Sequence, residues 1–334
     1  MNDFLVDFIL KIMTIDSTTG NECKLVDYLN KNFKPKGAKV EIQKVAKNQK
    51  NIFFKWGKPK IIFCTHLDTV SPYIAPRKKA ETIYGRGACD AKGQIATMYE
   101  TCKELYQEGQ NNFGLLLLAD EEKKSSGAKI ANKLITGCKY VIVGEPTKNR
   151  LISAAKGVSL LEVTISGKTA HSGYPEHGQC AVEKFKLFLN KLTKIKSPKD
   201  AILGKTTYNV GLLKASNPTN VVPDKVTCKI LFRTTFATHH IIQKKIGLLV
   251  DKNIKISFTH NNPPMNFFTV AGFKTGTVAF GSDAPTLNKL GKRLLYGPGN
   301  ILDAHTPNEK IKISEIKQAI KQLKKLYYKL ITIC

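Results

Sequence analysis

Arginine is scarce in this chain of 334 residues: only five (Arg77, Arg86, Arg150, Arg233 and Arg293) stand among 53 basic side chains, so 48 are lysines. Acids are scarce too, 26 in all, which leaves a formal net charge of +27 at pH 7. An excess of that size raises nucleic acid or an anionic membrane surface as partners. Readers of phosphates and bases, however, lean on the planar fork of Arg, and these lysines are scattered. The densest runs, 191–199 and 317–329, fall at helical spacing and read as solvated helix faces. The charge is therefore read as surface, with neither nucleic acid nor membrane as a partner, and a basic nucleic-acid-binding protein is kept only as the non-enzyme alternative.

Long apolar runs are missing. Nothing approaches the roughly 18 consecutive apolar residues of a membrane span; the longest run of note is Leu115 to Ala119. At the N-terminus, Asp3 and Asp7 sit where a signal peptide would be positive, and Phe4, Leu5, Phe8, Ile9 and Ile12 recur at helical spacing, which predicts an amphipathic first helix. The eight cysteines, Cys23 to Cys334, include no CxxC pair, which excludes a disulfide scaffold and a zinc finger and places reduced thiols in a cytoplasm. No GxSxG, Walker loop or GxGxxG is present.

What is there is α/β in texture. Short apolar strands are expected at 61–64, 115–119 and 140–143, with a helix at 93–108 between the first two. Beyond Thr147 the order becomes strand (158–165), helix (180–194), strands (207–213 and 226–234), helix (239–250) and strand (255–259), the ferredoxin-like signature. With 261–264 as a linker back and a final amphipathic helix through Ile313, Ile316, Ile320, Leu323, Tyr327 and Leu330, the pattern implies one domain of residues 1–156 and 266–334 with a second, 157–265, inserted into it.

Sheets of this kind place ligands at the carboxyl ends of their strands, and the polar residues crowd there. THLDTV puts His66 and Asp68 two apart on one side of an extended backbone, YGRGACDAKG puts Asp90 after two glycines and before a helix, LADEEKKSSG puts Asp120, Glu121 and Glu122 after four leucines and an alanine, VIVGEPTKN ends on Glu145, and LDAHTPNEK offers His305. Singly, each has a plainer reading: His66 and Asp68 as a structural pair, Asp90 as a helix cap. Together, two histidines and several carboxylates form the ligand set of a hydrolytic zinc or cobalt site in which one carboxylate bridges two ions. His171 alone reads as a loop histidine, Asn220 as a turn residue and Arg233 as a strand-surface residue; His177, His239, His240 and His260 are taken as surface residues.

The ordered blocks THLDTV, YGRGACDAKG, ADEEKKSSGAK, VGEPTKN, GKTAHSGYP, NPTNVVPD, FRTT, FGSDAP and YGPGNILDAHTPNEK, spread over about residues 60 to 310, resemble the dizinc aminoacylase and carboxypeptidase family that contains acetylornithine deacetylase and succinyl-diaminopimelate desuccinylase. The resemblance implies a metallopeptidase-like mixed-sheet catalytic domain and an inserted α+β domain serving as lid and dimer interface. It implies two divalent ions, Zn2+ with Co2+ possible, held by His66, Asp90, Glu145, Glu122 and His305, with Asp90 bridging. Asp68 would orient His66, and Glu121 would be the general base. His171 would reach the partner subunit's site and hold the developing oxyanion, while Asn220 and Arg233 would bind the substrate's amide and carboxylate.

Within that family FGSDAP followed by GPG looks more like the acetylornithine deacetylase pattern than the desuccinylase pattern, whose arginine is missing here. N-acetylornithine is therefore the expected substrate, in arginine biosynthesis, with Asp283 facing its ammonium group. The desuccinylase, a carrier-linked lysine or ornithine hydrolase and a dipeptidase or carboxypeptidase are the alternatives.

Overall fold

The computed structural model describes residues 3–135 and 137–333; seven cysteines are free thiols, and Cys334 lies outside the described residues. The fold is mixed α/β, and the chain divides into two compact units. One comprises Met1–Ser153, Phe267–Gly276 and Ser282–Cys334, the other Ala154–Asn266 and Thr277–Gly281. This division places residues 154–156 and 266, as well as Thr277–Gly281, in the inserted unit: Lys156 donates its backbone N–H to the Val278 carbonyl at 3.0 Å, and Gly281 lies against Val158 and Arg233.

The first unit is built on a six-stranded sheet in the order Lys39–Ala46, Gln49–Trp56, Phe113–Leu118, Ile61–His66, Tyr140–Val143, Lys292–Leu295. The last four strands run parallel, and the leading hairpin pairs antiparallel to them. Phe113–Leu118, Ile61–His66 and Tyr140–Val143 are buried at every residue, as strands covered on both faces must be. Helices Asp3–Met13 and Ile313–Ile331 pack on helix Lys92–Gln107, which itself lies on the sheet. Their apolar faces supply the core: Phe8 meets Phe33 and Tyr99 with ring centroids 4.6 and 4.7 Å apart, while Phe4, on the edge of the same face, stays exposed. The hairpin 39–56 and a small sheet of Lys310–Lys312, Thr82–Tyr84 and Arg77–Lys79 are announced by no apolar run, because their strands are half polar or very short.

The second unit runs strand Gly157–Ser166, helix Ala181–Thr193, strands Thr207–Lys214 and Lys225–Thr234, helix His239–Gly247, strand Ile254–Asn262. Its antiparallel sheet has the order 207–214, 225–234, 157–166, 254–262. Burial alternates with period two along the central strands, so one face carries the core of Leu161, Val163, Phe188, Ile230, Phe232 and Ile246 under both helices.

Three expectations are corrected here. The lysine run 191–199 is helical only to Thr193. Residues 261 and 262 continue the last strand instead of linking away from it, because Asn261 and Asn262 pair with Ser159 and Val158 and the Ser159 hydroxyl donates to Asn261 Oδ1 at 2.7 Å. His239 is buried, its Nδ1 2.9 Å from the Thr234 hydroxyl and its Nε2 2.9 Å from Gln243, whereas His240 and His177 are exposed and His260 is half-buried. Among the described residues no helix is long and apolar enough to cross a membrane.

Candidate metal centre

His66, Asp68, Asp90, Glu121, Glu122, Glu145 and His305 all belong to the first unit. Strand Ile61–His66 ends with Leu67 donating its N–H to the Leu118 carbonyl at 2.7 Å, which registers His66 against the end of the neighbouring strand. His66 is buried. Its Nδ1 lies 2.9 Å from the backbone carbonyl of Asp68 and 3.5 Å from that residue's carboxylate, and its Nε2 lies 2.9 Å from Asp90 Oδ1. A carbonyl can only accept, so Nδ1 is the N–H and Nε2 is the nitrogen left for ligation. Burial works against protonation of the ring, but Asp68 and Asp90 outweigh it and push the pKa well above the usual histidine value.

Asp90 sits in a turn that glycine makes possible: Gly85 has φ +129°, and a Cβ there would lie 2.9 Å from Pro76 Cα. The helix-cap reading of Asp90 is set aside, because Ala91 is the N-cap of helix Lys92–Gln107 and no side chain caps it. The two oxygens of Asp90 diverge instead, Oδ1 to His66 Nε2 and Oδ2 to His305 Nε2 at 3.3 Å. Burial raises its pKa, yet His305 and His66 together hold it below the ordinary carboxylate range.

The acidic run turns sharply at Asp120, which adopts φ +66° and donates its N–H to Glu22 Oε1 at 3.1 Å. The next two N–H groups point into one carboxylate: Asp68 Oδ1 accepts from Glu121 at 3.0 Å, and Oδ2 accepts from Glu122 at 3.1 Å and from the Thr19 hydroxyl at 2.9 Å. Glu122 Oε1 then meets His305 Nε2 at 3.0 Å. Glu145 follows strand Tyr140–Val143 and is buried; burial first, then Asp90, raises its pKa well above normal. Glu121 is only partly accessible, and burial with Glu145, Asp283 and Glu122 nearby raises it too, against the pull of His66.

The structure thus gathers His66, Asp90 and Glu122 with ligand atoms all within 4.8 Å of one another, His305 joining through Asp90 and Glu122. A cation fits this cluster on chemical grounds. Burial, with the neighbouring carboxylates, raises Glu121, Glu122 and Glu145 alike, so gathering them ionised calls for compensating positive charge, and Asp90 and Glu122 push His305 up to about 10. Cys64 and Cys89 are close by, with burial pushing both thiols well up, and neither belongs to the group of converging ligand atoms. Imidazole nitrogens with carboxylate oxygens suit zinc or cobalt.

Asp283 is also in this unit but is almost fully enclosed, and neither carboxylate oxygen makes a well-aligned hydrogen bond. Burial lifts its pKa to about 7, with the Ser125 hydroxyl opposing. It is no more exposed than His66 or Glu145.

His171, Asn220 and Arg233 lie in the second unit. His171 is exposed, its Nδ1 accepting the Gly173 N–H at 3.1 Å, and its loop is tied to that of Asn220, whose carbonyl accepts the Ser172 N–H at 2.9 Å. Arg233 is half-buried on strand Lys225–Thr234, opposite Val158 and Thr207.

Two residues beside the centre escaped the sequence reading. Arg86 and Glu309 form a buried ion pair at 2.6 Å, and Glu309 Oε1 accepts the N–H groups of Cys89 and Asp90, each at 3.1 Å. The signals were a rare arginine within YGRG and an acid four residues beyond His305.

Residues 62–329 match peptidase family M20/M25/M40. A peptidase M20 domain-containing protein of Schizosaccharomyces pombe is 30% identical over 336 residues, covering 97% of this chain and 84% of its own. A probable carboxypeptidase of Aspergillus clavatus is 30% identical over 357 residues, covering 95% and 86%. Among solved structures, a tripeptidase from Staphylococcus aureus superposes with a TM-score of 0.80 at 22% identity, covering 96% of each chain. An M20 family metallo-carboxypeptidase from Sulfolobus solfataricus gives 0.75 at 16% identity, covering 97% and 98%.

Proposed function

The chain belongs to peptidase family M20/M25/M40 and is a hydrolase of amide or peptide bonds, and from that premise we propose that it uses two divalent cations to cut the amide bond of an amino acid that keeps its own carboxylate free. The observation that carries this reading is the divergence of Asp90, whose two oxygens face two different histidines as a bridging ligand's would. His66, Asp90 and Glu145 would hold one ion, and Asp90, Glu122 and His305 the other.

Cations held there would polarise the scissile carbonyl and lower the pKa of water towards about 7. The residues supply the rest. Glu121 is fixed through its backbone by Asp68; its carboxylate takes a proton from the attacking water and passes it to the leaving nitrogen. The Asp68 carbonyl keeps His66 in the tautomer that presents Nε2. In the second unit, Arg233 is suited to a substrate carboxylate, Asn220 to the amide, and His171 to the oxyanion of a partner subunit's site. A homodimer through this unit is supported by its edge strand Thr207–Lys214, which is unpaired on one side and exposes Tyr208, Leu212 and Leu213. Free thiols at seven cysteines support a cytoplasmic setting.

The narrower reading, N-acetylornithine, rests on the FGSDAP block and on the acidity of Asp283 within it. Peptides with a free C-terminus are the better-supported substrates, in line with relatives named carboxypeptidase. A hydrolysis panel tests this: dipeptides, tripeptides, N-acetylornithine and N-succinyl-diaminopimelate, each beside its C-terminal amide where one can be made, with zinc- or cobalt-loaded protein. Cleavage of the free acids and loss on amidation is expected. Equal cleavage of the amides, or no cleavage of any substrate, would overturn it.

A further inference from the structure

Arg86 and Glu309 are enclosed side chains that the reaction itself does not use. Arg86 Nη1 meets Glu309 Oε2 at 2.6 Å and also points to the Thr306 carbonyl at 3.4 Å, while its Nε reaches the Pro72 carbonyl at 3.3 Å. The other carboxylate oxygen of Glu309 takes the two N–H groups of Cys89 and Asp90. The backbones are laced as well, Gly85 donating to the Glu309 carbonyl at 3.0 Å and Glu309 to the Thr306 carbonyl at 3.3 Å. Two segments some 220 residues apart in sequence are thereby fastened together. One carries Asp90 and the other His305.

His305 has little else to hold it. It adopts φ +61°, and its side chain is 48% exposed, touching Asp90 Oδ2 at 3.3 Å and Glu122 Oε1 at 3.0 Å. His66, by contrast, is buried at the end of a strand flanked on both sides. We infer that the Arg86–Glu309 pair is a positioning device that sets Asp90 Oδ2 against His305 and so builds the cation position these two share with Glu122, leaving the position around His66 to the sheet. This rests on the two-cation reading above. An ionised carboxylate is the right part for the task because it binds backbone N–H groups more tightly than a neutral acceptor does, and the Arg86 guanidinium, meeting it through Nη1 while Nε reaches the Pro72 carbonyl, balances its buried charge.

The test is a Co2+ titration of the metal-stripped full-length chain, followed by calorimetry and by the visible spectrum of the bound ion, for the wild type, Glu309→Gln, Arg86→Lys and His305→Ala. Glu309→Gln keeps an acceptor for the N–H groups but strands Arg86; Arg86→Lys keeps the charge but loses the fork. The wild type should take up two ions. Each strap variant should bind one ion as the wild type does and the other about 10- to 100-fold more weakly, with the weakened ion's spectral band the one that His305→Ala loses. Circular dichroism of the metal-stripped forms identifies a variant that has not folded, and the other strap variant then carries the comparison. Equal weakening of both ions in a folded variant, or unchanged binding of both, overturns the inference. A wild type that takes up fewer than two ions overturns the two-cation reading, and this inference with it.

Discussion

The carboxylate of Asp68 lies beneath the backbone of Glu121: Oδ1 accepts its N–H at 3.0 Å, and Oδ2 accepts that of Glu122 at 3.1 Å. Asp68 touches His66 mainly through its backbone carbonyl. Its side chain therefore places the acidic turn more than it places the imidazole.

That distinction can be measured. Asp68→Ala leaves the carbonyl that orients His66 but unties Glu121 and Glu122, so kcat should fall about 10- to 100-fold with KM little changed. The His66-side ion should bind as in the wild type. A variant that instead loses that ion, as His66→Ala should, would show that the carboxylate orients the ring.

Glu121→Gln removes the proton carrier without removing a ligand. Metal content should stay at two ions per chain while kcat drops by about 10²- to 10⁴-fold; metal analysis and turnover on the same sample check both. Full activity in this variant would sink the mechanism.

Metal uptake should release protons. In the metal-free protein, Asp90 and Glu122 push His305 up to about 10, so its ring carries a second proton at pH 7, and Asp68 and Asp90 bias His66 the same way against the effect of burial. Ligation needs both rings neutral, so apparent affinity should rise with pH until the rings deprotonate, and fall in acid. Calorimetry of Zn2+ binding in two buffers of different ionisation enthalpy counts the protons. A count of zero at pH 7 would contradict this charge arrangement.

The proposed dimer would rest on the edge strand Thr207–Lys214. Leu213→Lys places a charge on that exposed edge and should convert a dimer into a monomer in light scattering, with the fold unchanged by circular dichroism. A monomeric wild type at micromolar concentration would rule the arrangement out.

Much of this architecture is legible in the sequence for definite reasons. Strands 61–66, 113–118 and 140–143 are covered on both faces, so they read as apolar runs, and the chemistry follows directly where each run stops. Strands 157–166 and 225–234 show their one-sided burial as alternation. The hairpin 39–56 mixes Lys, Glu and Gln into its first strand and gives no such signal. Asp283 and His239 defeat a reading from sequence because burial of a polar side chain depends on neighbours remote in the chain. Arg86 and Glu309 escape it for the same reason, their pairing being visible only once residues 85–90 and 305–309 are brought together.

The strand Lys292–Leu295 pairs in parallel with Tyr140–Val143, and just beyond it Gly297 meets Thr147, 150 residues away in sequence. On the ribosome, therefore, His66, Asp90, Glu122 and Glu145 emerge well before the edge of their own sheet and before His305, with the whole inserted unit made in between. The early chain carries a cluster of acids without its second histidine and a buried strand without its neighbour, the kind of exposed edge that slows folding and invites misassembly. Synthesis thus delays assembly of the proposed metal centre until almost the last segment, so a chain cut before His305 would hold most of the candidate ligands without the whole site.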